Sequence, residues 1–588
     1  MSIYLKNGKI KNIMVELKEK KEETDMKKIL CVIFSALMIF GSVSAAAAKK
    51  EEKLKITVTT DTHLQAVESN PLPAMTEETT EFTEGMIDRE LYYYAAQQGQ
   101  MNYESKAIIK SMLKDFENSD SRCLLIAGDL TNGKRNSHLE MAQLLKETEE
   151  NCGKKIFVIV GNHDCAKESS EEKIDLAEFK QIYADFGFTD ALEVREESAS
   201  YTADLDDEYR LIAIDSCVYG EDDGEIDDAE LEWIENQAVK AKADGKKIIA
   251  MMHHSILPHF YVQPMIGGYA GLAEKFSGCG INFVLTGHIH ANDISSAKTK
   301  NGRTLYDVQT GSLITSPNAY REIEMSGEKF DITAKYVTEV DTADLPEGYN
   351  DSQKERISSD FSGYAKDIFA SGICRWLNRY IGSAGKLGKT LKLEKGSFGY
   401  NLLDGILKNV GNALNTPIYD DGQTPDKLDS IEEIARAGGA ELPQSGYEMP
   451  YQLAAKVYSA FYAGDEEKQL ANGETELLFL CLKAVILQAL NDLAFKDINA
   501  FAESIGLNTK DIAVSFKAKI YYSDLLAAKL AEALIVSLTA GLTSDLSDPA
   551  DLNVTINLAE SVPVLIPLSF FEKILYFFKA FIAAFKNL

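Results

Sequence analysis

The chain has 588 residues, of which 45% are apolar and 26% are charged, and its formal net charge is −30. A single hydrophobic core stops growing at about 250–300 residues, so this length predicts two domains. The ordinary apolar and charged fractions exclude wholesale disorder and a protein with many membrane spans. The negative charge excludes a nucleic-acid polymer as the main partner, because phosphate backbones bind to basic surfaces. A small anion could still bind where bound cations reverse the local potential.

The first 48 residues have the pattern of an export signal. Met26-Lys27-Lys28 is followed by an apolar run from Ile29 to Phe40 and by small residues up to Ala48. A charged start, a short apolar stretch and a small-residue cleavage site are typical of a secretory signal peptide. We therefore expect translation to start at Met26, the segment to be cleaved rather than kept as an anchor, and the protein to be secreted or associated with a bacterial cell envelope.

Residues 49–340 alternate between short apolar runs and amphipathic stretches, which predicts a layered α/β domain with a largely parallel sheet. The predicted strands are Leu54–Thr60, Cys123–Ala127, Lys155–Val160, Tyr209–Ile214, Lys247–Met252, Ile281–Thr286 and Arg303–Gln309. The predicted helices include Tyr103–Glu117, Ser137–Asn151, Glu171–Asp185 and Asp228–Ala243.

After a linker at residues 341–352, helical periodicity dominates, and residues 353–567 are predicted to form a mostly α-helical second domain. Its predicted helices are Tyr364–Tyr380, Tyr400–Leu414, Tyr451–Ala463, Thr475–Phe495 and Asp524–Leu542. Residues 568–588 are predicted to form an apolar amphipathic helix with charges at Glu572, Lys579 and Lys586. This helix either caps the helical domain or lies on a membrane or cell-envelope surface.

Polar clusters follow the predicted strands, and six of the eight histidines lie in them. In open α/β sheets ligands bind outside the carboxyl ends of the strands, so these clusters are expected to meet in one cleft. The five clusters are Asp61-Thr62-His63, Gly128-Asp129-Leu130-Thr131-Asn132, Gly161-Asn162-His163-Asp164, His253-His254 and Gly287-His288-Ile289-His290.

The residue types in these clusters indicate a metal site. Neutral imidazoles together with carboxylates suit Mn, Fe or Zn, whereas magnesium and calcium prefer ligand sets made mostly of oxygen. Two divalent or trivalent cations about 3.5–4 Å apart can stabilise both the attacking and the leaving oxygen of a phosphoryl transfer. A carboxylate between them would reduce the repulsion of two like charges at that separation.

The ordered set Asp-x-His, Gly-Asp, Gly-Asn-His-Asp, His and Gly-His-x-His resembles the calcineurin-like metallophosphoesterase family, from residue 54 to about residue 315. The resemblance implies an α/β/β/α sandwich, a bridging Asp129, and hydrolysis of a small phosphate ester by in-line attack of a metal-bridging hydroxide. The remaining implied metal ligands are Asp61, His63 and His290 for one ion, and Asn162, His253 and His288 for the other.

The resemblance also implies that His163 is a catalytic residue that stabilises the phosphoryl group and protonates the departing oxygen. Asp164 would then orient His163. His253 takes the motif position directly after a strand, but adjacent side chains point in opposite directions, so His254 stays open as the alternative ligand.

The Gly-Asp-Leu-Thr-Asn-Gly run is similar to the branch that contains cyclic-nucleotide and glycerophosphodiester phosphodiesterases, which favours a phosphodiester substrate. Protein phosphatases of the family carry an arginine-bearing motif beside Gly-Asn-His-Asp, where this chain has Cys165-Ala166-Lys167. The alternatives are a phosphomonoesterase or 5′-nucleotidase, and a cell-envelope binding protein with structural metals. The segment Gln65–Gln100, with three consecutive tyrosines from Tyr92, is a candidate lid.

Overall fold

A computed structural model describes residues 53–67, 92–259, 265–381, 429–437, 441–465 and 550–559, with shorter stretches between 385 and 422 and between 473 and 481. The predicted signal peptide, most of the candidate lid, the predicted helix Asp524–Leu542 and the tail 568–588 lie outside the described residues. Within the described residues, no helix is both long enough and apolar enough to span a membrane.

The strands are β1 (Leu54–Thr59), β2 (Cys123–Ala127), β3 (Lys155–Ile159), β4 (Glu193–Val194), β5 (Tyr201–Asp204), β6 (Tyr209–Ile214), β7 (Lys247–Met252), β8 (Phe283–Thr286), β9 (Asp293–Lys298), β10 (Thr304–Gln309), β11 (Ala319–Ser326), β12 (Lys329–Tyr336) and β13 (Asn553–Asn557). The α-helices are α1 (Ser105–Asn118), α2 (Arg135–Cys152), α3 (Leu176–Ile182), α4 (Asp228–Ala243), α5 (Tyr269–Cys279), α6 (Asp351–Ser359), α7 (Phe361–Ile381), α8 (Ile431–Ala437) and α9 (Pro450–Ala463). Short π-helical turns occur at Tyr93–Gln97 and Ala184–Phe188, and a 3-10 turn at Thr342–Asp344.

The strands form two mixed sheets. The first has the order β13-β12-β11-β1-β2-β3, and the second has the order β4-β5-β6-β7-β8-β10-β9. Strands β1, β2 and β3 pair in parallel, as do β6, β7, β8 and β10. The other pairings are antiparallel, so the expectation of a largely parallel sheet holds for the centre of the second sheet and for one end of the first. Each of the five polar clusters follows one of these parallel strands.

The hydrophobic core lies between the sheets and under the helices that cover them. On β6, Leu211 and Ala213 belong to the cluster shared with the first sheet, whereas Ile212 and Ile214 pack with Ile234 of α4 on the other face. This alternation is what a strand buried on both faces requires, because successive side chains point to opposite sides. The predicted α/β sandwich is confirmed, with helices on the outside and two sheets inside.

The predicted strands and helices of this part of the chain are present, with ends that differ by a few residues. Six strands were not predicted from the sequence: β4, β5, β9, β11, β12 and β13. Of these, β4, β9 and β13 are edge strands, and β11 and β12 alternate largely between buried and half-buried residues. β13 pairs antiparallel with β12 although more than 200 residues separate them, with Phe330 opposite Ile556. A strand from the part expected to be helical therefore extends the first sheet.

Two predicted helices after residue 353 are present as α7 and α9, and they pack against each other through Phe369, Ile373 and Ala455. Seven cysteines are free among the described residues. The domain boundaries at 340 and 352 stay a prediction.

Candidate metal centre

The polar clusters lie at the carboxyl ends of parallel strands in both sheets. Asp61 follows β1, Asp129 follows β2 and Asn162 follows β3 in the first sheet, while His253 follows β7 and His288 follows β8 in the second. Because the two sheets face each other, side chains spread over about 230 positions meet at one edge of the sandwich.

The backbone is strained at this edge. Asp61, His63, Asp129, His288 and His290 have φ between 36° and 73°, and they are five of the seven non-glycine residues with positive φ among the described residues. This left-handed region disfavours side chains other than glycine, and it persists where the surrounding structure imposes it. Such strain clusters at functional sites, so its presence at these five residues marks the edge as the candidate site.

One group of ligand-type atoms comes from Asp61, His63 and His290. His290 Nε2 lies 3.2 Å from both Asp61 Oδ1 and His63 Nε2, and His63 Nε2 is 3.7 Å from Asp61 Oδ1. Asp61 Oδ1 is buried and accepts no hydrogen bond within the described residues. A buried carboxylate oxygen that faces imidazole nitrogens without a hydrogen bond fits a cation between them.

A second group comes from Asn162, His253 and His288. Asn162 Oδ1 lies 3.0 Å from both His253 Nε2 and His288 Nδ1. An amide oxygen between two imidazole nitrogens supplies a neutral ligand set for a second cation.

Asp129 lies between these two groups. Its Oδ2 is 3.2 Å from His253 Nε2 and 3.7 Å from His63 Nε2, and both distances fall within reach of ions held on either side. Its Oδ1 accepts a hydrogen bond from the backbone N–H of His163 at 2.8 Å, which fixes the carboxylate plane. This position is the one that a bridging carboxylate requires.

Two imidazoles of the centre are oriented through the ring nitrogen that points away from it. His253 Nδ1 donates to the carbonyl of Ala127 at 2.9 Å, so its Nε2 faces Asp129. His63 Nδ1 lies 2.9 Å from Asn132 Oδ1 and likewise leaves its Nε2 toward the cluster. Ligating histidines are ordinarily oriented in this way. Sequence analysis did not assign Asn132 a role, although it belongs to the same motif as Asp129.

Burial and charge set the pKa values of the cluster. Burial, opposed by the charge of Asp129, lowers the pKa of His63 to about 3, and burial also lowers the pKa of His288 to about 3. At His253 burial is outweighed by the charges of Asp129 and Asp61, which raise its pKa to about 9. Neutral imidazoles and ionised carboxylates are the forms that bind a cation, and a cation would replace the proton of His253.

The structure places His253 rather than His254 in the cluster. His254 lies behind it, with Nδ1 2.9 Å from Ser216 Oγ and its ring 4.5 Å from the ring of His288. The two histidines point in different directions because they are consecutive in an extended segment.

Asp164 does not orient His163, so this part of the sequence analysis is wrong. Its Oδ1 accepts from the N–H of Thr131 at 3.0 Å and its Oδ2 from the N–H of Gly161 at 2.9 Å. The side chain is fully buried, and burial together with the charge of Asp129 raises its pKa to about 8. Asp164 therefore ties the loop after β2 to the loop after β3.

We expect Asp164→Ala to lower the free energy of unfolding by roughly 2–3 kcal/mol, because two buried amides lose their acceptor. Urea denaturation of the wild-type chain and the variant measures the difference. Asp164→Asn keeps one acceptor oxygen and should lose about half as much. An unchanged unfolding free energy together with a large fall in kcat would instead support the orienting role.

The glycine of the Gly-Asn-His-Asp motif is required by close packing. A Cβ atom on Gly161 would overlap Asp129 Oδ1, and one on Gly287 would overlap Thr60 Oγ1 and lie 2.6 Å from Asp61 Oδ2. Each glycine thus allows a backbone segment to approach a carboxylate of the cluster directly.

Gly161→Ala is therefore expected to displace Asp129 and to lower kcat by about 10–100-fold, since misplacement by about 1 Å has effects of that size. Steady-state kinetics on the metal-loaded chain provides the measurement. Gly271→Ala is the control, because a Cβ atom there meets nothing within 4 Å. Equal losses in both variants would refute the packing explanation.

Comparison with known proteins gives a family match for one part of the chain. The family model for calcineurin-like phosphoesterases matches residues 54–292. A probable cyclic nucleotide phosphodiesterase of Rhodococcus erythropolis is 26% identical over 171 residues, a match that spans 28% of this chain and 50% of that protein. The chain thus matches half the length of this curated relative.

Among solved structures, a dimetal phosphatase from Danio rerio is 9% identical, with coverage of 48% of this chain and 96% of that chain and a TM-score of 0.35. A purple acid phosphatase from yellow lupin seeds is 12% identical, with coverage of 49% and 52% and a TM-score of 0.32. On the family match, residues 54–292 of this chain form a domain of the calcineurin-like phosphoesterase family.

Proposed function

We propose that the protein is a hydrolase of phosphate esters that works with two metal ions and prefers phosphodiesters. The observation that carries this proposal is the position of Asp129 Oδ2, 3.2 Å from His253 Nε2 and 3.7 Å from His63 Nε2. One carboxylate thus faces a ligand group on each side, which is the arrangement that a pair of cations needs.

The donor set fits Mn, Fe or Zn. Asp61, His63 and His290 would hold one ion, Asn162, His253 and His288 the other, and Asp129 both. Four imidazole donors favour these metals over magnesium or calcium, which prefer oxygen ligands. Two bound cations would supply an ionised water near neutral pH and would neutralise charge on the phosphoryl oxygens.

His163 is the group of this chain best placed to act on the substrate. Its backbone N–H binds Asp129, so its ring stands at the edge of the cluster, 5.2 Å from the ring of His63, and is only partly buried. Within the described residues, neither ring nitrogen of His163 is hydrogen-bonded to a predicted metal ligand. A partly exposed imidazole beside a metal pair can donate a hydrogen bond to a phosphoryl oxygen.

The charge of the site supports a diester over a monoester. In the described part of the chain, no lysine or arginine forms a hydrogen bond or ion pair with the predicted metal ligands. A monoester carries about one more negative charge than a diester near neutral pH, and proteins commonly bind phosphate oxygens with arginine or lysine. The relative of Rhodococcus erythropolis, named as a probable cyclic nucleotide phosphodiesterase, supports the same preference.

Turnover by the metal-loaded full chain tests the proposal. We expect hydrolysis of bis(p-nitrophenyl) phosphate with a kcat/KM at least about tenfold above that of p-nitrophenyl phosphate, which is a difference of about 1.4 kcal/mol in transition-state stabilisation. A preference for the monoester would favour the phosphomonoesterase alternative. Absence of turnover on both esters, in a chain shown to contain metal, would favour a binding protein with structural metals.

We also propose that the protein is exported, on the signal-peptide pattern around residues 26–48. Mass spectrometry of the protein recovered from the medium or periplasm of a bacterial host should find an N-terminus near Ala48. Recovery of the uncleaved chain from the cytoplasm alone would contradict this.

Contact of the tail with a membrane surface is a further proposal, because residues 568–588 combine a wide apolar face with a stripe of charges. Sedimentation with anionic lipid vesicles should carry down the full chain but not a chain that ends at residue 567. Equal sedimentation of the two would leave the tail as a cap of the helical segment.

A further inference from the structure

The ring of His163 faces a hydroxyl group from a distant part of the chain. Tyr94 Oη lies 3.5 Å from His163 Nδ1, and the two rings meet edge-on at 88° with centroids 5.5 Å apart. Within the described residues, no other side-chain polar atom is hydrogen-bonded to the ring of His163. The polar side chain beside the ring of His163 is therefore the phenol of Tyr94 and not the carboxylate of Asp164.

The turn that carries Tyr94 is fixed by helix α7. Arg375 Nε of α7 donates to the carbonyl of Ala96, and Ala96 is buried. A Cβ atom on Gly372 of α7 would overlap the backbone nitrogen of Gly99, so the helix and the end of the turn are in direct backbone contact. The N–H groups of Gln98 and Gln100 both donate to the carbonyl of Tyr94 at 3.2 Å, which closes the turn.

We propose that Tyr94 is a positioning residue for His163, and this inference rests on the proposed function. The phenol O–H donates to His163 Nδ1, so the proton of the neutral imidazole is on Nε2. Nε2–H then serves as a hydrogen-bond donor to a phosphoryl oxygen of the substrate. The distance of 3.5 Å is at the long limit for a hydrogen bond, and such contacts tighten when substrate binds.

A phenol differs from a carboxylate in this position. A carboxylate would accept from Nδ1–H, whereas a phenol that donates to Nδ1 leaves the N–H on Nε2. The cluster already holds the carboxylates Asp61 and Asp129, both buried. A further negative charge beside them would be costly, and Tyr94 avoids that cost.

A double-mutant cycle tests the inference on the metal-loaded full chain with bis(p-nitrophenyl) phosphate. We expect Tyr94→Phe to lower kcat about five- to twentyfold, the range for one lost orienting hydrogen bond, with KM changed less than about twofold. In the His163→Ala background the same substitution should change kcat by less than about twofold, because Tyr94 then has nothing to orient. No effect in the wild-type background, or an equal effect in both backgrounds, would overturn the inference.

Two further variants separate the role of Tyr94 from general damage to the turn. Tyr92→Phe removes a hydroxyl next to the same turn and is expected to leave kcat unchanged. Gly372→Ala should push the turn away through Gly99 and reproduce the fall in kcat seen with Tyr94→Phe. Metal content and thermal unfolding, measured for each variant, show whether the chain is folded and loaded. An equal loss in Tyr92→Phe and Tyr94→Phe would assign the effect to the turn alone and overturn the inference.

Calorimetric measurement of inorganic phosphate binding distinguishes failure of this inference from failure of the proposed function. Tyr94→Phe should weaken phosphate binding about three- to tenfold in the wild-type background and not in the His163→Ala background. If the wild-type chain hydrolyses no ester, the proposed function fails. If phosphate binds to Tyr94→Phe as tightly as to the wild-type chain, the inference about Tyr94 fails.

Discussion

Asp129→Asn is expected to lower kcat for bis(p-nitrophenyl) phosphate by about 10²–10³-fold, the effect that follows loss of one principal electrostatic group in an active site. The substitution preserves the shape of the side chain but removes the charge that faces His63 and His253. An amide also presents N–H groups where a cation would be, so metal content should fall by about one ion per chain. Steady-state kinetics and elemental analysis of the same preparation measure the two effects.

Asp120→Asn is the matched control for this experiment. Asp120 is an exposed carboxylate whose partner is Lys55, away from the cluster, so neither kcat nor metal content should change. Retention of more than about a tenth of wild-type turnover by Asp129→Asn would contradict a bridging role, because a bridging charge is shared by both ions.

Asp551→Ala is expected to lower the free energy of unfolding by roughly 2–4 kcal/mol, as one buried and one half-buried amide lose an acceptor. Asp551 is fully buried, and its carboxylate accepts from the N–H groups of Ile294 and Asp465, each at 2.8 Å. Its negative charge also acts on the buried guanidinium of Arg321, which donates to the Asp551 carbonyl at 2.6 Å. Loss of the carboxylate leaves that buried cation less well compensated.

Urea denaturation of Asp551→Ala against Asn553→Ala, an exposed position on β13, provides the comparison. The control should change the unfolding free energy by less than about 0.5 kcal/mol. Ile294, which donates to Asp551, lies only four residues after the predicted ligand His290. A fall in the unfolding free energy that is confined to Asp551→Ala would therefore show that the C-terminal chain stabilises the loop that carries His288 and His290. A change below about 1 kcal/mol in Asp551→Ala would show that it does not.

The metal cluster could be predicted from the sequence because each of its ligands lies in a short motif at the end of a predicted strand. A strand that ends in Gly-Asp or Gly-Asn-His-Asp places those residues at the carboxyl edge, and parallel strands share that edge. The spacing in Gly-His-x-His places His288 and His290 on one strained loop, where they contact different partners. The side chains of the seven predicted ligands lie close together, and His253 rather than His254 lies beside Asn162 and Asp129. That these side chains bind metal stays a prediction.

Contacts between distant segments could not be predicted in the same way. The direction of the Asp164 side chain depends on the amides of Thr131 and Gly161, from which it accepts hydrogen bonds. Its position next to His163 in the sequence does not predict that direction. The approach of Tyr94 to His163 depends on α7, more than 250 residues further along the chain. Strand β13 pairs with β12 across a similar distance, and its five residues carry no motif.

These long-range contacts share one consequence for the second half of the chain. Helix α7 holds the turn of Tyr94, and the N–H of Asn292 donates to the carbonyl of Tyr462 at the end of α9. Residues that were predicted to form a separate helical domain thus contact the turn that carries Tyr94 and the loop that follows His290. Their helical pattern was predictable, but the surface against which they pack was not.

Metal stoichiometry tests the central claim most directly. Calorimetric titration of the metal-free full chain with Mn²⁺ or Zn²⁺, checked by elemental analysis, should give about two ions per chain, and Asn162→Ala should retain about one. Binding of no ion by the folded wild-type chain, or the same stoichiometry in the wild-type chain and in Asn162→Ala, would contradict the claim that the seven side chains hold a pair of metals.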